Sequence, residues 1–409
     1  MKKLFVSFAL LMAMFGTGST AQAANNYPVI LVHGFAGFGR SEMLGYRYWG
    51  GLTDLQEYLK SQGHPTYTAS VGPFSSNWDR AVELYYEIKG GCVDYGANHS
   101  AKYGHKRYVA TKCYPGFYPQ WDASHPIHLI SHSMGGQTAR MLVQILENPT
   151  HSEDNTVNES PLFQGGHYGW VKSVTTIATP NNGTTLANVV TNLAPFAQQL
   201  IAEVATLANI VDPDGVVYDF GLDQWGLVRQ PGESFTSYQS RVLSSPMFTN
   251  PNLVDISSYD LSPDGAAAEN AWVKTAPDVY YFSWATKATY QGFWPYWQYP
   301  RADMLPPLPV TAYPYTWPLP PGMGNYTRND AGHVVIDSSW WANDGVVNTV
   351  SMRNPSGQPT VDFNGTPQIG TWNYMGLMDT FDHMDIIGWT LFWDSRPFYL
   401  NQVKLIDTL

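Results

Sequence analysis

From Tyr27 to Phe35 the chain reads YPVILVHGF, an unbroken apolar run ending in a glycine loop. Such a run predicts a strand buried on both faces. Between 50 and 62, Leu52, Leu55, Tyr58 and Leu59 recur at helical spacing and predict a helix with one apolar face. TYTASVGPFSS then reads as strand and loop, and AVELYYEIK (81–89) as helix. HPIHLIS (125–131), VKSVTTIATP (171–180) and VYYFSWAT (279–286) are further strand signals. Strands alternating with helices predict an α/β fold, a mostly parallel central sheet flanked by helices.

Three stretches depart from that alternation. Residues 90–122 form a long Gly- and Tyr-rich segment holding both cysteines, and a loop of this length needs a metal, a disulfide or a function to order it. In 192–211, Leu193, Phe196, Leu200, Val204, Leu207 and Val211 recur at three and four, with Glu203 the one charge. That pattern fits a core helix and equally a lid that turns its apolar face to lipid. In 289–331 the prolines forbid long helices and central strands, which predicts an extended arm over the surface.

The first residues read as an export leader. Lys2 and Lys3 precede an apolar stretch too short for a comfortable membrane span, and Ala21-Gln22-Ala23 is a small-x-small cleavage site. Cleavage after Ala23 leaves 24–409 and takes the net charge from −11 to −13, since the leader holds two lysines and no acids. An acidic chain is a poor partner for nucleic acid or anionic membranes. In an exported protein, the two cysteines, Cys92 and Cys113, are compatible with a disulfide.

The chemistry centres on SHSMGG, 131–136, between the strand HPIHLI and the helical QTARMLVQIL. A serine at a tight strand-to-helix turn fits a nucleophile elbow, although Ser131 stands where the G-x-S-x-G pattern has glycine, and a plain helix entry is the competing reading. Serine needs a base, usually a histidine held by a carboxylate. His132 adjoins Ser133 and points elsewhere, so it is a poor base. In α/β-hydrolases the acid and histidine follow the serine, and His383 is the one histidine after His333. Asp344, before a glycine turn, is the candidate acid, with Asp337, Asp379 and Asp382 as competitors. Oxyanion donors would be the backbone N–H groups of Met134 and Phe35.

Seven blocks, HGFAGFGRSEMLGYRYWGG, SSNWDRAVE, VDYGANHSAKYGHKRY, SVTTIATPNNGTTL, LDQWGLVRQPGESF, NDGVVNTVSM and DHMDIIG, resemble in order those of the secreted bacterial true lipases of family I.5. These are the thermoalkalophilic Bacillus and Geobacillus lipases, with kinship to staphylococcal lipases. The likeness fades across 236–275 and 289–335. It implies an α/β-hydrolase fold spanning 24–409, with a zinc-stabilised insertion at about 90–122 and a helical lid at about 186–235. It implies a Ser133–His383–Asp344 triad with Phe35 and Met134 as oxyanion donors, cleaving triacylglycerols at a lipid interface. It implies a structural zinc on Asp79, His99, His105 and Asp223, two Asp and two His as zinc accepts. A calcium ion near the catalytic histidine would use Asp379, Asp382 and Asp385, though Thr390 stands where an acid is expected. The elbow also departs from the thermoalkalophilic AHSQGG, with Ser131 and Met134 in place of Ala and Gln. The aromatic arm suggests an alternative, a broad esterase for short-chain or bulky polymeric esters.

Overall fold

The computed structural model describes residues 25–149, 160–189, 193–208, 218–316, 319–390 and 392–409. The leader expected at 1–23 and part of the expected lid region lie outside the described residues.

Seven strands form the central sheet: β1 (Val29–Val32), β2 (Thr66–Thr68), β5 (Ile127–His132), β6 (Val171–Ile177), β7 (Tyr280–Lys287), β10 (Thr360–Asp362) and β11 (Trp372–Asp379). Their spatial order is β10-β11-β7-β6-β5-β1-β2, and every neighbouring pair is parallel. Parallel strands are covered on both faces, which explains the continuous apolar runs. In β1, Val29 and Leu31 join one apolar cluster and Ile30 and Val32 the other, as the two-residue period of a strand requires.

Helices α2 (Asn77–Lys89) and α4 (Met134–Glu147) cover one face, burying Trp78, Val82, Tyr85, Leu142 and Ile145. Helices α1 (Leu55–Ser61) and α7 (Arg396–Ile406) bury Leu55, Leu59, Tyr399, Val403 and Ile406 on the other. Asp54 caps α1 by accepting from Glu57 N, so the helix starts later than the apolar spacing predicts. Leu52 falls outside it, 72% exposed.

The expected 90–122 loop is a small unit of its own. Strands β3 (Gly91–Asp94) and β4 (Tyr108–Tyr114) pair antiparallel around helix α3 (Ala97–Tyr103). Cys92 and Cys113 sit opposite each other in that pair and are disulfide-bonded. The bond spans 21 positions, so replacing both cysteines by serine should cost about 3 kcal/mol by loop entropy. Urea unfolding in chelator measures it; with a metal holding the same segment the loss should be smaller. Among the described residues, the 289–331 arm contains only short elements, the pair β8 (Thr289–Gln291) and β9 (Gln298–Pro300) and a five-residue helix at Leu308–Ala312. Helix α5 (Leu193–Leu207) has Phe196, Leu200, Ile201 and Val204 buried, as the helical spacing in 192–211 predicts; Val211 lies outside the described residues. Helix α6 (Pro263–Trp272) precedes β7.

Candidate active site and metal cluster

Ser133 lies between β5 and α4 with φ 55° and ψ −135°, a conformation that L-residues rarely adopt. The turn is close-packed. A Cβ on Gly34 would lie 2.5 Å from Ser133 Cβ, and one on Gly135 would lie 2.3 Å from Val32 O. The glycine that matters here is therefore the second after the serine; Ser131, two residues before it, is accommodated as a buried residue of β5.

The C-terminal edge of the sheet also delivers the other groups. His383 follows β11, and its Nδ1 donates to Asp344 Oδ2 at 2.7 Å. That bond fixes the tautomer and leaves the Nε2 lone pair as a base. The Asp344 carboxylate is fully buried and accepts three more bonds. Thr286 Oγ1 donates to Oδ2 at 2.6 Å, and Val346 N and Val347 N donate to Oδ1 at 3.0 and 2.8 Å. The competing acids are occupied elsewhere. Asp337 is exposed and accepts from Ser339 N, Asp379 pairs with Lys287 at 3.2 Å, and Asp382 accepts only backbone amides.

Met134 opens α4, where first-turn N–H groups have no helical partner. In the loop after β1, Gly34 N donates to Tyr48 OH, Ala36 N to Pro73 O and Gly37 N to Gly34 O. Among the described residues the Phe35 N–H has no hydrogen bond within the protein. Arg80 holds this loop from beneath, donating to His33 O and, at 2.9 Å, to Gly72 O.

His132 proves to be a strut. Its Nε2 donates to the His383 carbonyl at 2.9 Å, its Nδ1 accepts from Tyr48 OH at 2.6 Å, and the same hydroxyl accepts from Gly34 N at 2.9 Å. One chain of bonds thus ties the loop after β1 to the loop carrying His383, with every member satisfied. Burial, with the nearby His383, pushes the His132 pKa well below the ordinary value, so it stays neutral in this role. Tyr48→Phe strands the Gly34 N–H and His132 Nδ1, each at a cost of about 1–3 kcal/mol. Lower denaturant stability together with a lower kcat is the expected outcome.

Ser133 and His383 are 4% and 1% exposed. The apolar face of α5 belongs to the same continuous cluster as Phe35, Met134 and Met384. A cleft of about 560 Å³ opens between the end of α5 and residues 388–390 and 392–396, and neither Ser133 nor His383 is among its described lining residues.

A second constellation lies where α2 meets the 90–122 unit. Asp79, His99, His105 and Asp255 are all buried, and a ligand atom from each lies within 4.8 Å of the others. Asp79 Oδ1 is 3.2 Å from His99 Nε2, and Asp255 Oδ2 is 3.4 Å from His105 Nε2. Asp79 Oδ1, His105 Nε2 and Asp255 Oδ2 are buried without a hydrogen bond, the state expected of atoms that share a cation. Two nitrogens and two oxygens fit one metal ion. His105 Nδ1 donates to Lys106 O, which turns its Nε2 lone pair inward, and Gln224 donates to Asp79 Oδ2.

Asp255 therefore corrects the expected ligand set. Asp223 is turned away, accepting from Thr111 Oγ1 at 2.7 Å, and its neighbour Gln224 is what reaches Asp79. Asp255 falls within 236–275, where the sequence likeness fades, and one aspartate in NLVDIS carries no local signal of its own. The three carboxylates expected around calcium are engaged within the protein. Asp382 spends both oxygens on the amides of Leu305, Met384 and Asp385, Asp385 accepts from Asp382 N, and Asp379 is held at Lys287. Burial next to Asp382 pushes the Asp385 carboxyl up to about 7.

Comparison with known proteins decides the family. The lipase-like C-terminal domain matches residues 25–397. The chain belongs to that family. EstA from Clostridium botulinum is 44% identical with a TM-score of 0.88, covering 96% of this chain and 90% of that one. Lipase 1 from Pelosinus fermentans is 45% identical with a TM-score of 0.82, covering 94% and 99%. A lipase of Staphylococcus epidermidis is 37% identical over 375 residues, 90% of this chain and 51% of that protein. The chain spans about half the length of the curated relatives it matches. Kinship with staphylococcal lipases, expected from the sequence blocks, is upheld. Among the described residues no helix is long and apolar enough to cross a membrane.

Proposed function

We propose that this protein is a secreted serine hydrolase of carboxylic esters, a triacylglycerol lipase. The observation that carries the reading is the buried His383–Asp344 pair, 2.7 Å apart, at the sheet edge that also presents the strained Ser133. Ser133 Oγ attacks the ester carbonyl and His383 Nε2 takes its proton. Asp344 stabilises the imidazolium, and the Phe35 and Met134 amides bind the oxyanion. His383 returns the proton to the leaving alcohol, and water then cleaves the acyl-enzyme by the same route. Two of the relatives are lipases, which supports this assignment.

In this reading 24–409 is one hydrolase domain, with the 90–122 unit as an insertion and α5 as the lid that uncovers Ser133. The low exposure of Ser133, and the place of the α5 apolar face in the same cluster as Met134, support the lid. Residues 1–23 support export. The closer likeness to thermoalkalophilic Bacillus lipases rests on the sequence blocks alone. The metal is zinc, on the strength of a buried two-His, two-Asp set, and it staples the insertion to α2 and the 255 loop. It takes no part in the ester chemistry.

Rates on esters from butyrate to palmitate, with Ser133→Ala as the blank, test the assignment. A maximum at long chains that rises above the solubility limit is expected. A short-chain maximum with no interfacial gain would favour the alternative, an esterase for short-chain or bulky polymeric esters.

A further inference from the structure

The hairpin β8–β9 carries an uncommon surface. Phe293 is 94% exposed, Trp294 80%, Tyr296 62% and Tyr290 55%. Soluble proteins rarely leave contiguous large apolar side chains this open without a partner. Residues 288–300, ATYQGFWPYWQYP, contain six aromatics and no charge in a chain of net charge −11.

The hairpin is also firmly rooted. Tyr290 pairs with Tyr299, Gly292 N donates to Trp297 O, and Gln298 N donates to Gly324 O. Its base stands on the loop that carries the acid of the triad. Ala288 N donates to Asn343 O at 3.0 Å and Thr289 Oγ1 to the same carbonyl at 3.2 Å, one residue before Asp344. The hairpin therefore rises from the same edge of the sheet as Ser133 and His383, on a base that does not depend on α5.

We propose that this tip is an anchor that inserts Phe293, Trp294 and Tyr296 into the surface of an uncharged oil droplet, holding the catalytic edge against it. The proposal rests on the ester-hydrolase reading and adds where the enzyme grips its substrate phase. An uncharged aromatic tip on an acidic protein selects a neutral surface over an anionic one, which the net charge repels. Aromatic side chains with a polar handle settle at such boundaries, and a rigid hairpin holds them there at little entropic cost.

The test uses the full-length protein carrying Ser133→Ala, to prevent hydrolysis, floated with triolein droplets and separately with phosphatidylglycerol vesicles. It is compared with the same protein carrying Phe293→Ser, Trp294→Ser and Tyr296→Ser. Half-burial of three aromatic side chains predicts about a hundredfold weaker droplet partition in the variant. In the background with Ser133 intact, hydrolysis of a soluble butyrate ester should be unchanged by the three substitutions. Equal partition of the two proteins would overturn the anchor, as would tighter binding to the anionic vesicles than to triolein. A wild-type dimer in sedimentation that the three substitutions dissociate would also overturn it, because the patch would then face a second copy. Failure of the unmodified enzyme to hydrolyse any soluble ester would overturn the hydrolase reading and this proposal with it.

Discussion

Asp344→Asn is expected to lower kcat on a soluble ester about ten-thousandfold with the fold intact, the scale seen when a triad histidine is held in the wrong tautomer. The reason is specific to the cradle around residue 344. Val346 N and Val347 N both donate to Oδ1, so an asparagine must place its carbonyl oxygen there. Its NH2 group then faces His383 Nδ1, at the position where Asp344 Oδ2 now accepts. The amide donates, the ring proton moves to Nε2, and His383 loses the lone pair that would take the serine proton. Thr286 Oγ1 can rotate its hydrogen away and accept from the same NH2, which locks the inactive arrangement. Steady-state kinetics, with thermal unfolding as the control for folding, checks this. A loss of only a few-fold would mean that Asp344 is not the acid. The same substitution at Asp337 or Asp379 should leave kcat nearly unchanged, since both carboxylates are exposed and make local bonds.

Removing the metal should have the second-largest effect, on stability. A ligand that binds only the folded chain at a thousand times its Kd adds about 4 kcal/mol. A strong chelator should therefore lower the melting temperature by several degrees, and stoichiometric zinc should restore it. Asp255→Ala should do the same without chelator and leave little metal in the purified protein. Asp223→Asn is the discriminating control. It disturbs the bond to Thr111 but no ligand, so metal content should stay at one ion per chain. Full metal in the Asp255 variant together with loss in the Asp223 variant would restore the ligand set implied by the family likeness. Melting unaffected by chelator, in a protein containing no metal, would remove the site altogether.

The strands of the inner sheet were legible because they are buried on both faces and so read as unbroken apolar runs: YPVILV, HPIHLI and VKSVTTI each fall on a strand. The strand-to-helix turn at Ser133 was legible from the apolar strand before it and the helical spacing after it. The choice among four aspartates was not, because it depends on two backbone amides and a threonine contributed by β7 and the 346–347 turn. Those contacts exist only after the chain has folded. Leu52 was misplaced because apolar spacing ignores caps, and Asp54 starts the helix later. Residues 90–122 read as a loop because the short strands β3 and β4 carry exposed positions and no apolar run; pairing and the Cys92–Cys113 bond define them instead. Asp255 was missed for a related reason. A metal ligand contributed by a distant loop leaves no local pattern, whereas His99 and His105, six apart, do. That His132 has both ring nitrogens bonded, one of them to the His383 carbonyl, needed coordinates.

Covalent labelling tests the central claim most directly. A p-nitrophenyl alkylphosphonate should add one phosphonyl group per chain, map to the peptide containing Ser133, and abolish ester hydrolysis in proportion to labelling. Ser133→Ala should take up no label, and Asp344→Asn should label far more slowly. Stoichiometric labelling at another residue, or full ester hydrolysis by the labelled protein, would contradict the account.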